Sequence, residues 1–341
     1  MIGAIDPKIF SFGNLGINWY GVIIASAITI ALLLGIREGK KHGLESGLFI
    51  DLLIIGIPVS IISARIYYVI FQWSFYAANP AAIFKIWEGG LAIHGALIGA
   101  VITAYLFAKR EKISFWRLAD IAAPYLLLAQ AIGRWGNFTN QEAYGGVVER
   151  SFLENLYLPD FIIEQMYIRE QYHHPTFLYE SLWNLLGVVL LVVFRRRNPR
   201  LGETFLAYLA WYSLGRFFIE GLRVDSLQFF GLRTAQVLSI VLFVGSLILI
   251  YYRRKKFNQN YLEAENIDNA QAAEELESTD KVKAVEELEL PDEVKVTEEV
   301  EPPDEAAIEE VESSNEAVIA KKLESDDDND DDKKTGEEES N

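Results

Sequence analysis

The sequence predicts an all-α integral membrane protein of about seven transmembrane helices, with an external loop or cap region and a disordered acidic C-terminal tail. Three observations predict it. Apolar runs close to the roughly 20 residues that cross a bilayer as a helix recur through the first three quarters of the chain. Clusters of Lys and Arg close every second run. The charge then divides sharply: residues 1–256 carry 24 Lys and Arg against 17 Asp and Glu, whereas residues 257–341 carry 7 against 31. The net charge of −17 therefore describes neither part.

The first run covers residues 17–36 and stops at Arg37-Glu38-Gly39-Lys40-Lys41. The second covers 48–71 and contains Pro58 and Arg65. A third starts near Gly90 and ends at Lys109-Arg110-Glu111-Lys112. The fourth, 118–133, is short and carries Asp120, Pro124 and Gln130. A fifth covers 177–194 and ends in Arg195-Arg196-Arg197; the sixth covers 203–222. The seventh, 234–252, ends in Arg253-Arg254-Lys255-Lys256. The first, third, fifth and seventh runs end on one side, and Lys and Arg accumulate in the cytoplasm. An outside N-terminus and a cytoplasmic C-terminus follow, with 135–176 as the longest outward segment. The start of the chain lacks the basic region and apolar core of a cleavable leader, so none is expected. Trp19, Tyr20, Trp73 and Trp87 suit an interfacial aromatic belt. Two units are expected, a membrane domain at 1–256 and a solvated acidic tail at 257–341.

Polar residues inside such runs are costly and mark functional candidates. The densest group follows the fourth run: Gly133-Arg134-Trp135-Gly136-Asn137-Phe138-Thr139-Asn140-Gln141-Glu142-Ala143-Tyr144-Gly145. Its glycines suit tight turns and close approach to a ligand, so this stretch is expected to leave the helix as a loop. Arg134 offers a planar fork of donors for a phosphate or carboxylate. His94 lies near the outer end of the third run, beside a Gly95/Gly99 pair whose spacing suits close helix packing. Tyr212, Arg216 and Glu220, with Arg223 beyond, share one stripe of the sixth run at about 3.6 residues per turn. An internal Arg216–Glu220 pair is the simplest reading of part of that stripe. On the derived topology, Tyr20, Arg65, His94, Arg134, Asn137, Glu142, Arg216 and Glu220 all fall toward the outer leaflet. Arginines facing one another at that depth need an anion between them, and a lipid phosphate is available there.

Several blocks closely resemble the phosphatidylglycerol–prolipoprotein diacylglyceryl transferases of bacteria. Besides Gly133 to Gly145 these are Ser63-Ala64-Arg65-Ile66-Tyr67-Tyr68, Trp87-Glu88-Gly89-Gly90 through His94-Gly95-Ala96, His174-Pro175-Thr176-Phe177-Leu178-Tyr179-Glu180, and Gly215-Arg216-Phe217-Phe218-Ile219-Glu220-Gly221-Leu222-Arg223-Val224-Asp225-Ser226. The resemblance spans nearly all of 1–256 and leaves the acidic tail uncovered. It implies a seven-span enzyme of the bacterial plasma (inner) membrane, active on the outer face. The implied reaction moves diacylglyceryl from phosphatidylglycerol to the lipobox cysteine in the signal peptide of a prolipoprotein, forming a thioether and releasing glycerol-1-phosphate. By motif, the essential positions would be Tyr20, His94, Arg134, Asn137, Glu142, Gly145 and Arg216, supported by Tyr212, Glu220 and Arg223. Membrane lipids are implied as partners, and nucleic acid is not.

The residue types suit that chemistry. A thiol must lose its proton, for which His94, Glu142 or Tyr20 can be the base. The leaving phosphate ester calls for fixed positive charge, which Arg134 and Arg216 supply, with Arg65 as a further candidate for the lipid phosphate. No cofactor or metal is expected: there are four histidines, and no cysteine to furnish a thiolate site or a disulfide. A transporter would spread polar groups across the bilayer, whereas the inner halves of these runs are apolar. A membrane anchor presenting the tail would leave the outer cluster unexplained.

Overall fold

The computed structural model describes residues 5–12, 15–224, 228–229 and 232–256. The acidic segment expected to be disordered lies outside the described residues, as do Asp225 and Ser226.

Each apolar run forms a long helix. These are α1 (Trp19–Lys41), α2 (Ser46–Phe71), α4 (Ile93–Arg110, after the short α3, Trp73–Ala78), α5 (Phe115–Thr139), α8 (Thr176–Arg195), α9 (Glu203–Leu222) and α10 (Thr234–Lys256). Four of them, α1, α2, α8 and α10, are long and apolar enough to cross a membrane, and the protein is an integral membrane protein on that ground. Their outer faces agree, since Ile54, Ile62 and Ile70 of α2 and Val241 of α10 are exposed. Pro58 and Pro124 sit inside α2 and α5; Pro124 is buried among neighbouring helices, whereas Pro58 lies on the exposed face of α2.

Helix α5 is the centre. It packs against α1, α8 and α9, while α2 pairs with α4 and α9 with α10. Small residues set the spacing. A Cβ on Gly95 would stand 2.5 Å from the Ser63 carbonyl oxygen, and Gly99 is as tightly placed against the Ser63 side chain, so α4 lies backbone-close on α2. Between α8 and α9 the device is reciprocal. Trp183 covers Gly215 and Trp211 covers Gly187, and the two indoles stack with centroids 4.2 Å apart. Each indole N–H donates to the other residue's carbonyl at 3.0 Å.

The end of α5 departs from expectation. The fourth run was expected to stop at Gly133, with the polar signature as a loop, yet the helix continues through Thr139. Gly133 and Gly136 are contact points there and not turns. Gly133 faces Ile24, and a Cβ on Gly136 would come within 2.9 Å of the Tyr20 ring. The chain turns only beyond Asn140, through Gln141 (φ 52°) and Ala143 (φ 58°). Left-handed backbone at such residues costs about 1–3 kcal/mol each and persists only where surroundings impose it.

Residues 141–175 form a small compact segment with its own core. It holds α6 (Arg150–Asn155), α7 (Asp160–Gln165) and a three-stranded antiparallel sheet of Val147–Val148, Gln171–His173 and Tyr167–Ile168 in that order. Leu153, Ile162, Ile163, Met166 and Ile168 pack with Phe138 of α5 and Phe177 of α8. Gln165 ties this segment down. It is 1% exposed, accepts from the Ile5 N–H at 2.8 Å and donates to the carbonyls of Phe138 and Thr139 at 3.0 and 3.3 Å. A buried amide with so many partners fixes the last turn of α5.

At the opposite end, Asp120 is fully buried and accepts from the Gly202 and Phe205 N–H groups at 2.5 and 2.8 Å. It therefore caps α9 from a neighbouring helix. Arg254 meets Glu203 at 2.7 Å and Arg195 meets Glu38 at 2.9 Å, so part of the basic clusters is spent on structure.

Candidate active site

Three helices contribute charge to one cluster. Arg134 comes from the penultimate turn of α5, Glu180 from the first turns of α8, and Arg216 and Glu220 from α9. The Glu180 carboxylate takes Arg134 through one oxygen and Arg216 through the other. Arg216 also meets Glu220 at 2.5 Å, which supplies the stripe pairing expected at i, i+4. The anion between the two arginines is thus a side chain of the protein. The carboxylate side chains are 7% and 4% exposed, and the arginine side chains of Arg134 and Arg216 are 20% and 16% exposed. The two arginines are therefore the less buried members of the cluster.

The signature residues extend this cluster. Arg134 donates to the Asn137 Oδ1 at 3.3 Å, and the Asn137 amide donates to Glu142 at 2.9 Å. Arg134, Asn137 and Glu142 thus form one chain of contacts across the end of α5. Tyr212 and Arg223 both act on the Arg134 charge, the first as a hydrogen-bond partner. Tyr20 lies on Gly136, at the mouth of an open groove of about 510 Å³ that runs along Gly21 and Ala25 to Asn140.

Gly145 closes the other side. Its N–H donates to the His174 carbonyl at 3.1 Å, and its own carbonyl stands 2.8 Å from the His173 ring nitrogen. It bridges to Arg223, and the next N–H, of Gly146, donates to Leu222 at 3.0 Å. The turn is stitched to the end of α9 in this way. A side chain at Gly145 would meet the His174 Cβ at 2.6 Å, so the close approach requires glycine.

Two candidates stand apart from the cluster. Arg65 gives its donors to the carbonyls of Ala82, Ile83, Lys85, Gly89 and Gly90 and lies over the Tyr76 ring. It organises the loop before α4, and its donors do not point at the Arg134–Arg216 pair. His94 lies at the start of α4 beside Tyr67, with ring centroids 6.1 Å apart. Among the described residues no hydrogen bond or ion pair joins His94 to Arg134, Glu180 or Arg216. Glu180 and Gln165 carry the geometry without having been singled out. Glu180 satisfied the same test as Arg216, an ionisable group inside an apolar run, so its signal was present.

His174 gives a pH signature outside the spans. Its ring lies 3.2 Å from the Tyr179 hydroxyl with Phe152 at its edge, and burial holds its pKa below the ordinary histidine value. The fold then favours the neutral ring. That contribution is complete above the unfolded value of about 6.5 and is lost as pH falls through the lowered folded value. In detergent, the melting-temperature gap between wild type and His174→Gln should narrow on acidification from pH 8 to 5. A gap that stays constant with pH would remove His174 as its source.

Comparison with known proteins places this geometry. The family described as prolipoprotein diacylglyceryl transferase matches residues 7–252. A relative from Listeria monocytogenes serotype 4b is 59% identical over 260 residues, covering 76% of this chain and 94% of its own length. One from Bacillus velezensis is 58% identical over 253 residues (74% and 93%), and one from Bacillus cereus 58% over 264 residues (77% and 98%). All three carry the name phosphatidylglycerol–prolipoprotein diacylglyceryl transferase. With the matched span reaching into the last turns of α10 and taking in the whole Arg134–Glu180–Arg216 cluster, the chain belongs to the prolipoprotein diacylglyceryl transferase family.

Proposed function

We propose that this protein transfers the diacylglyceryl group of phosphatidylglycerol to the lipobox cysteine of prolipoproteins, releasing glycerol-1-phosphate. The observation that carries the reading for these residues is the pair of guanidiniums, on two helices, held side by side at one carboxylate. Phosphatidylglycerol presents a phosphodiester, and two planar forks suit its oxygens. In the reaction a base takes the thiol proton. Sulfur bonds to the glyceryl carbon as the carbon–oxygen bond to phosphate breaks, and the electron pair leaves on the phosphate. Arg134 and Arg216 stabilise that growing charge, while Asn137, Tyr212, Glu220 and Arg223 hold them in place. His94, Glu142 and Tyr20 are the candidates for the base. Tyr20 stands at the groove leading to Asn140, and Glu142 at the exposed end of the signature chain.

Seven helices span the bilayer in this reading, with the compact segment at 141–175 outside and the basic clusters in the cytoplasm of a bacterial plasma membrane. Two measurements test the proposal. Purified protein given phosphatidylglycerol and a lipobox peptide should release glycerol phosphate in step with peptide lipidation, and no release would end the reading. Reporter fusions at Gly43, Arg110 and Asn198 should report cytoplasm and one at Glu154 the exterior. A cytoplasmic signal at Glu154 would overturn the orientation.

A further inference from the structure

We propose that Glu180 is a displaceable counter-anion, a positioning residue that aligns the two phosphate-holding arginines and keeps them from trapping the phosphate product. The inference rests on the reaction proposed above and adds a residue and a step to it. One carboxylate of α8 serves cations from α5 and α9, and it lies deeper than either. Both guanidiniums stay charged at any working pH. Without an anion between them they would repel and turn apart, so Glu180 holds their spacing before substrate arrives.

The charge balance gives the second role. Arg134 and Arg216 with Glu180 and Glu220 sum to zero. The diester substrate brings one negative charge. A thiolate and a phosphodiester, one negative charge each, become a neutral thioether and a phosphate monoester bearing two. A phosphate monoester keeps about −1.5 to −2 at neutral pH. Product is thus the more anionic ligand, and a cluster of net positive charge would hold it more tightly than substrate. Glu180 sets that balance: its carboxylate competes for the same guanidinium donors and can reclaim them as the phosphate leaves. A group that weakens product binding more than transition-state binding speeds turnover.

Glu180→Gln keeps the shape and removes the charge. In the peptide-lipidation assay, kcat should fall about tenfold or more, while inhibition by added glycerol-1-phosphate tightens on the order of tenfold to a hundredfold for one unit of charge at this depth. The KM for phosphatidylglycerol should fall or hold. Loss of a merely structural ion pair would lower kcat with product inhibition unchanged or weaker, and that result in folded protein overturns the proposal. Glu180→Asp retains the charge with a shorter reach. It should keep the wild-type inhibition constant while kcat drops, and it carries the test if Glu180→Gln does not fold; tightened inhibition in Glu180→Asp would also overturn the proposal. Inactive wild type would instead sink the reaction itself. Active wild type with unchanged inhibition in Glu180→Gln sinks only the role of Glu180.

Discussion

Arg216→Gln and Arg134→Gln should each lower turnover by about 10²- to 10³-fold, the usual loss when one preorganised donor to a developing oxyanion is removed. Both substitutions also uncover a buried carboxylate, Glu180 in either case and Glu220 with Arg216. Melting temperature must therefore be followed alongside turnover. Lysine should rescue only in part, because an ammonium cannot serve two acceptors in a plane as the fork does. His94→Gln separates the roles. If His94 is the base, raising pH ionises the peptide thiol and restores part of the lost rate. The same rise leaves both arginine variants slow, since their defect is missing charge. A His94→Gln protein that is folded and equally inactive across pH would make His94 structural, in keeping with its place beside Tyr67 at the start of α4. The base would then be sought at Glu142 or Tyr20.

Gly215→Ala should be nearly as damaging, although it alters no charge. A Cβ there would stand 2.2 Å from the Trp183 indole nitrogen, and that indole is locked by its bond to the Trp211 carbonyl. Overpacking of this kind costs about 1–3 kcal/mol, and each broken hydrogen bond adds roughly 1. The strain falls between α8 and α9, the helices that carry Glu180 and Arg216. A lowered melting temperature should therefore come with at least a tenfold loss of rate, since small misplacements of catalytic groups are amplified. Trp183→Phe, by trimming the obstructing ring, should recover part of both losses in the double variant. No recovery would show that the backbone, and not the indole, takes up the strain.

What the sequence made legible is local. The long helices follow from hydropathy, and the Arg216–Glu220 pair follows from spacing within one helix. The spacing of Gly95 and Gly99 foretold close packing of α4 for the same reason, but not that its neighbour is α2. Contacts between helices were not legible. Arg65 and Arg134 look alike as arginines in apolar runs, but one donates to loop carbonyls and the other to a carboxylate from α8. The signature was read as a loop because glycine signals turns in soluble chains. In a membrane helix the same residue admits a neighbour, here Tyr20 against Gly136, and the helix runs on. Gln165 lies in a polar segment where one more glutamine draws no notice; its four partners become visible only in three dimensions.

The bond from Ile5 to that glutamine bears on how the protein is made. Donor and acceptor are 160 residues apart, which at about 5–20 residues per second separates their synthesis by roughly 8–30 s. Tyr20 likewise reaches the bilayer long before Gly136, the surface it rests on, has left the ribosome. Helix α1 must therefore wait in the membrane with its α5-facing side bare until α5 is made. The catalytic cluster is complete only later still, when α8 and α9 deliver Glu180, Arg216 and Glu220, so the nascent enzyme stays inactive until nearly the whole membrane region has been made.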